Sequence, residues 1–176
     1  MKTSFGNLQR EVDIDRGRVR KLVSALAGGE GVRAGEVTLV FVDDAYIAEL
    51  NRRYLGENRA TDVLAFPLGE ASYGAEAHPS ERGASGSREV EFTEAPSDRL
   101  VGEVYISTER AIEQARENHV ALSEEIARLI VHGLLHLFGY RDDRPSRRRE
   151  MVRRQESFLR ENKGAVTNVA KRSGCR

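Results

Sequence analysis

The spacing of apolar positions changes several times along the chain, and each spacing predicts a different element. Residues 15–27 carry apolar side chains at helical intervals behind Asp15, which can act as an N-cap, so this stretch is predicted to be a helix. Residues 36–42 form a β-branched and aromatic run of strand length. Asp43 then offers the cap of a second helix, whose apolar positions are Tyr46, Ile47, Leu50 and Tyr54.

Two further strands are predicted on either side of a long irregular stretch. Residues 61–66 form a short apolar run that ends at Pro67, and Leu100 to Ile106 form another. Residues 69–99, between them, are rich in Gly, Ser, Ala, Pro and Glu, and an irregular loop of this length is uncommon inside a compact domain. We expect a flexible insertion there, and its excess of acids argues against phosphate binding.

Three helices are predicted in the remainder of the chain. Ser107 or Thr108 can cap the first, and Ser123 can cap the second, which is apolar on most sides and ends with Gly139 at the position after the C-cap. Pro145 begins the last, whose amphipathic positions are Met151, Val152, Gln155, Phe158 and Leu159.

These elements predict one α+β domain over residues 1–162, a small mixed sheet of three or four strands packed with about five helices. Residues 163–176 contain no acid and are predicted to be a basic, disordered tail.

Composition narrows the class of protein. The 176 residues carry 28 basic and 28 acidic side chains, so any affinity for nucleic acid must come from a local patch. No apolar run reaches the roughly 18 residues that a membrane span needs. The N-terminal residues do not resemble a signal peptide, and we therefore expect a cytoplasmic protein. Cys175 is the one cysteine, which excludes a structural zinc site built on cysteines.

The second of the three late helices carries a metal-binding pattern. His132 and His136 are four residues apart, so both imidazoles project from one face of the helix toward a shared metal. Gly139 lets the chain turn back, so that Asp142 can reach the same point. This is the spacing of zincin metal sites, and three protein ligands leave a fourth position for water, as in catalytic zinc sites. The alternative interpretation is two core histidines and a capping Asp142.

Zincin peptidases place a glutamate beside the first histidine as general base, but this chain has Gly133 there. A metallopeptidase is therefore a less favoured interpretation. The remaining histidines, His78 and His119, have no partner at ligand spacing, and we assign them no metal role.

A basic segment follows the metal motif. Residues 140–154 contain seven arginines against three acids. Such a segment can track an RNA backbone with little sequence readout, and we select Arg141, Arg144, Arg147 and Arg148 as the RNA-binding candidates. The alternative interpretation is an ordinary solvated helix face.

Three stretches resemble the YbeY endoribonuclease family. Residues 132–140, HGLLHLFGY, are similar to the family signature His-Gly-x-Leu-His-Leu-x-Gly-Tyr-Asp-His. Residues 50–67 and 102–107 are similar to its Leu-Asn to Thr-Asp-Val-Leu-Ser-Phe-Pro segment and its Gly-Asp-Ile-x-Ile-Ser strand. The resemblance implies a four-stranded sheet with a metal in a cleft at its edge.

The same resemblance implies a zinc-dependent, single-strand-specific endoribonuclease of 16S rRNA maturation and ribosome quality control, with one Zn²⁺ per chain. It also implies rRNA and the small ribosomal subunit as partners, with ribosomal proteins or an assembly GTPase as further candidates.

This chain departs from the family pattern at three positions. Asp142 stands where the family has its third histidine, and Arg141 stands where it has an aspartate. Leu55 stands where most members carry an arginine implicated in activity. The candidates to replace that arginine are Arg52, Arg53 and Arg59.

The first hypothesis makes His132, His136 and Asp142 the zinc ligands, with His132 and Arg59 as catalytic residues that activate water and hold phosphate. The second, which follows from Leu55, is a ribosome-assembly factor that binds RNA and whose zinc is largely structural.

Overall fold

Six strands and six helices follow one another along the part of the chain that the structure describes. This computed structural model describes residues 1–68 and 100–174, so the predicted insertion at 69–99 and Cys175 lie outside it. The strands are β1 (Lys2–Asn7), β2 (Val12–Ile14), β3 (Gly35–Val42), β4 (Val63–Pro67), β5 (Leu100–Ser107) and β6 (Ala170–Arg172). The helices are α1 (Arg16–Gly29), α2 (Asp44–Leu55), α3 (Thr108–Glu117), α4 (Leu122–Leu137), α5 (Pro145–Glu161) and α6 (Lys163–Val166). None of these helices is both long enough and apolar enough to cross a membrane.

Four of the strands form one mixed sheet in the order β1-β3-β5-β4. The first three are parallel, and β4 is an antiparallel edge strand in which Ala65 lies opposite Val104. The predicted α+β class and the four-stranded mixed sheet are confirmed, with six helices where about five were expected. β1 is absent from the sequence-based prediction, because its one buried position is a threonine, Thr3.

Side-chain caps fix where several helices begin. The predicted caps Asp15, Asp43 and Ser107 each accept a hydrogen bond from a backbone N–H in the first turn of their helix. The predicted cap of α4 is wrong, because that helix begins at Leu122 and the N-cap is Ala121. Ser123 lies inside the first turn, and its hydroxyl instead donates to the carbonyl of Val166 at 2.7 Å.

The prediction of a disordered tail is wrong for the described residues after 162. They form α6 and then β6, which pairs antiparallel with β2 so that Val12 lies opposite Arg172. The reason is that Val166, Val169 and Ala170 are buried in the same core as the other helices. Burial of these three side chains stabilises a segment whose charges alone suggested fraying.

The helix with the metal motif packs directly on the sheet. A Cβ atom placed on Gly133 would lie 2.4 Å from Val104 Cγ1 and 3.1 Å from Val63 Cγ2. One turn later, Leu137 covers Gly102, where a Cβ would lie 2.8 Å from its methyl groups. Each of the two elements therefore contributes one glycine to the interface, which lets the backbone of α4 lie unusually close to β5.

We predict that Gly133→Ala lowers the free energy of unfolding by about 1–3 kcal/mol, because the added methyl group must displace Val104. Urea denaturation of the two proteins measures this difference. Gly28→Ala is the matched control in α1, because a Cβ added there would meet no atom within 4 Å outside its own stretch of helix. It should be neutral or stabilising by up to about 1 kcal/mol. Equal stability of Gly133→Ala and the parent would contradict the close packing.

Candidate metal centre

The structure brings together the three residues that the spacing predicts as metal ligands. His132 and His136 lie one turn apart on α4, with their Nε2 atoms 3.1 Å apart. Asp142 follows the turn at Gly139, and one ligand atom from each of the three residues lies within 4.8 Å of the others. Two nitrogens bound tetrahedrally to Zn²⁺ would be about 3.3 Å apart, close to this separation. Within residues 1–68 and 100–174, His132, His136 and Asp142 form the one group of three His, Cys, Asp or Glu side chains that could hold a metal ion.

Each imidazole is oriented by a hydrogen bond at its other nitrogen. Nδ1 of His132 lies 3.1 Å from Oε1 of Gln155, and Nδ1 of His136 lies 3.1 Å from the carbonyl oxygen of Tyr140. Both partners are acceptors, so each Nδ1 must carry the proton and each Nε2 keeps its lone pair. Two lone pairs and a carboxylate then face one point without a donor between them, an arrangement that fits a bound cation.

The protonation of His136 also favours a ligand role. Burial lowers the pKa of this imidazole, the neighbouring His132 lowers it further, and Asp142 opposes the shift, so the pKa stays below its ordinary value. Metal binding requires a neutral imidazole, and His136 is therefore neutral at physiological pH before any metal arrives.

A three-residue clamp holds the loop that carries the third ligand. Gly139 has a φ of 94°, which lets the chain leave α4 and turn back. The hydroxyl of Tyr140 then donates to Oε2 of Glu30 at 2.9 Å, and Arg154 donates to Oε1 of the same carboxylate. Since Glu30 is at the end of α1 and Arg154 is in α5, the loop is fixed to two helices outside the metal motif.

The packing of Gly133 explains why the site has no glutamate beside the first histidine. A glutamate side chain at that position would begin 2.4 Å from Val104, inside the interface between α4 and the sheet. The peptidase general base is therefore excluded by packing as well as by sequence.

The other predicted catalytic residue lies in a separate loop. The guanidinium of Arg59 forms an ion pair with the carboxylate of Glu57 at 2.7 Å, and the backbone carbonyl of Arg59 accepts a hydrogen bond from the side chain of Asn51. Leu55, at the position where the resemblance implies an arginine, ends α2 and is 60% exposed. His119 follows α3 with a φ of 54° and is not part of the converging group, whereas His78 lies outside the described residues.

Three of the predicted RNA-binding arginines follow Asp142 at the start of α5, and the fourth, Arg141, lies directly before Asp142 in the loop. Arg144, Arg147 and Arg148 are exposed, and Arg141 is half-buried. Arg147 forms an ion pair with Asp143 at 3.1 Å. The arginines still outnumber the acids in residues 140–154, so the surface beside the three candidate ligands carries more positive than negative side chains.

Sequence reasoning missed the residues that orient the ligands. The apolar spacing predicts only that Gln155 lies on the amphipathic face of the last helix, although a polar residue at a core-facing position is a usable signal. Glu30 had no such signal, because its role depends on Tyr140 and Arg154, which are more than a hundred residues away.

Comparisons with known proteins identify relatives over most of the chain. The family model "Endoribonuclease YbeY" matches residues 5–163. A protein of that name from Moorella thermoacetica is 36% identical over 163 residues, which is 90% of this chain and 96% of that protein. One from Pelotomaculum thermopropionicum is 38% identical, over 90% of this chain and 95% of its own. The solution structure of TM1509 from Thermotoga maritima has a TM-score of 0.56 at 23% identity, covers 92% of this chain and 89% of its own, and supports the fold.

We predict that Glu30→Ala lowers the free energy of unfolding by about 1–3 kcal/mol, because it leaves the Tyr140 hydroxyl and Arg154 without their shared acceptor. Glu57→Ala is the control, because it removes an ion pair with Arg59 in which the glutamate side chain is 49% exposed, whereas that of Glu30 is 11% exposed. It should lower the free energy of unfolding by at most about 1 kcal/mol. Thermal unfolding of both variants checks this order, and equal losses of stability would contradict the clamp.

Proposed function

This chain belongs to the YbeY family of endoribonucleases, and from that premise we propose that it is a zinc enzyme that cleaves single-stranded rRNA. As an endoribonuclease it hydrolyses phosphodiester bonds in RNA. The proposal adds the metal, the residues that hold it and the class of RNA.

The observation that carries the proposal is the convergence of His132, His136 and Asp142. Two neutral imidazoles and one carboxylate form a common ligand set for Zn²⁺, and three protein ligands leave a position for water or substrate. Asp142 in place of the family's histidine keeps the number of ligands and adds a negative charge, which favours retention of a divalent cation.

The residues around this site divide the work of phosphodiester hydrolysis. When bound, zinc would supply Lewis-acid activation of water and of a phosphoryl oxygen. His132 and His136 would hold the ion through their Nε2 lone pairs, with their ring planes fixed by Gln155 and the Tyr140 carbonyl. The apolar body of α4 below them excludes water from the sheet side of the site.

The exposed arginines at the start of α5 hold the RNA backbone next to the site. Arg144, Arg147 and Arg148 neutralise phosphates, and Arg141 at the edge of the loop joins them. We assign Arg59 the role of the arginine that Leu55 replaces. This assignment rests on family resemblance and on the exposure of its guanidinium.

A second candidate function follows from Leu55. An exposed leucine where relatives carry an arginine favours a ribosome-assembly factor that binds RNA tightly, holds zinc as a structural ion and turns over slowly. Hydrolysis that survives nuclease controls would remove this candidate, whereas tight binding without cleavage would support it.

We place the activity in 16S rRNA maturation and ribosome quality control. The partners would be rRNA and the small ribosomal subunit, with ribosomal proteins or an assembly GTPase as further partners, and the location would be the cytoplasm. These assignments go beyond the endoribonuclease activity that membership of the family shows.

We predict about one zinc per chain in protein purified from zinc-replete medium, because three converging ligands suffice to retain the ion. Elemental analysis should show that His136→Ala and Asp142→Ala both lose the metal, and cleavage of a single-stranded RNA should be lost with it.

Two surface residues provide matched controls. His119→Ala and Asp143→Ala change the same residue types outside the converging group and should keep both zinc and cleavage. Zinc retained in Asp142→Ala would contradict three-ligand binding, and cleavage by metal-free parent protein would contradict the proposed mechanism.

We predict that Arg148→Ala weakens RNA binding to a similar extent for every sequence, since an interaction with phosphate carries no base information. The slope of log affinity against log salt should become shallower by about 1, the value expected when one arginine no longer neutralises a phosphate. Arg116→Ala, which removes an exposed arginine of α3, is the control and should change neither quantity. An unchanged salt slope for Arg148→Ala would show that the segment is only a solvated helix face.

A further inference from the structure

A continuous chain of hydrogen bonds connects the candidate metal centre with charged groups at the start of α4. It begins at Nδ1 of His132, which lies 3.1 Å from Oε1 of Gln155. The amide nitrogen of Gln155 donates to Oε1 of Glu156 at 3.1 Å. The same oxygen accepts from Nε of Arg128 at 3.1 Å. Arg128 lies one helical turn before His132 on α4, so the chain returns to the helix that carries the ligands.

The far end of this chain is held by several hydrogen bonds. Arg128 donates to Glu125 at 2.6 Å and to Glu124 at 3.1 Å, besides Glu156. Burial raises the pKa of Glu156, but hydrogen bonds from Arg128 and Gln155 lower it more, so the net shift is downward. Glu156 is therefore a carboxylate at neutral pH, an acceptor only, and it accepts a hydrogen bond from the Gln155 amide nitrogen.

This arrangement leaves Gln155 one orientation. Its amide nitrogen faces Glu156, so its oxygen must face His132. The side chain is 5% exposed and lies where α5 packs on α4, next to the core residues Phe158 and Leu159 of the same helix. An apolar side chain of the same size would pack there without the desolvation cost of an amide. The desolvation cost of the Gln155 amide is explained if its oxygen accepts the hydrogen bond that orients the His132 imidazole.

We propose that Gln155 is the positioning residue of the metal centre: its amide oxygen keeps the proton of His132 on Nδ1 and aims Nε2 at the metal. The inference rests on the zinc site of the proposed function and adds a residue on a different helix. Removal of such an outer hydrogen bond from a metal-bound histidine weakens metal affinity by about 10–100-fold.

The test is zinc affinity, measured by competition with a chromophoric chelator. Gln155→Met keeps the length and volume of the side chain but removes the amide oxygen, and it should weaken zinc binding by about 10–100-fold. Gln155→Glu keeps an oxygen acceptor for Nδ1 of His132, although it no longer donates to Glu156, and it should bind zinc more tightly than Gln155→Met. The visible absorption of the Co²⁺-loaded proteins should change in Gln155→Met and resemble the parent in Gln155→Glu, because it reports ligand geometry.

Phe158→Leu is the control for weakened packing on the same helix, since Phe158 is also buried but lies on the core side of α5. It should lower the melting temperature without changing zinc affinity. Parental zinc affinity in Gln155→Met, or equally weakened zinc binding in Phe158→Leu, overturns the inference and leaves the zinc site intact. A parent protein that binds no zinc overturns the proposed function, and this inference with it.

Discussion

The backbone of α4 lies against β5 at the point where Gly133 meets Val104, and the positions of the candidate ligands follow from that close approach. With the helix this near to the sheet, residues at the Gly133 face are fully buried, and His132 and His136 turn away toward α5 and the loop after Leu137. A wider separation would move both imidazoles relative to Gln155 and Tyr140. The glycine is thus a requirement of the site, although it contributes no ligand atom.

Around this interface, the ligands are held by elements that are distant in sequence. α5 supplies Gln155 and Arg154, and α1 supplies Glu30, whose carboxylate fixes the loop before Asp142. Each of these groups is polar and largely buried, and each has its hydrogen-bond partner within the described structure. A satisfied polar network of this kind is less stabilising than an apolar core of equal volume, but it confines side chains to one geometry. Metal binding benefits from that confinement because less order has to be imposed when the ion arrives.

Most of the fold was predictable because its elements carry regular apolar spacing. Residues 36–42 and the helix with His132 each bury a face that can be read from the sequence. The elements that were missed bury few apolar groups: β1 relies on pairing with β3, and β2 and β6 have three residues each. The spacing also predicted which three side chains would meet at the candidate site. The spacing did not predict the hydrogen bonds that Gln155, Glu30 and Ser123 make, because hydrogen bonds between distant segments leave no periodic signal.

The antiparallel pairing of β4 with β5 has a consequence for how this fold can be altered. Pro67 and Gly102 lie opposite each other in neighbouring strands, so the two ends of whatever joins them are held together by the sheet. The entropy of closing such a connection rises only with the logarithm of its length, by about 0.6 kcal/mol for each doubling. Connections of very different size are therefore compatible with the same four strands. This end of the strand pair can therefore accommodate variation in length, and it suits the insertion of a reporter or affinity module.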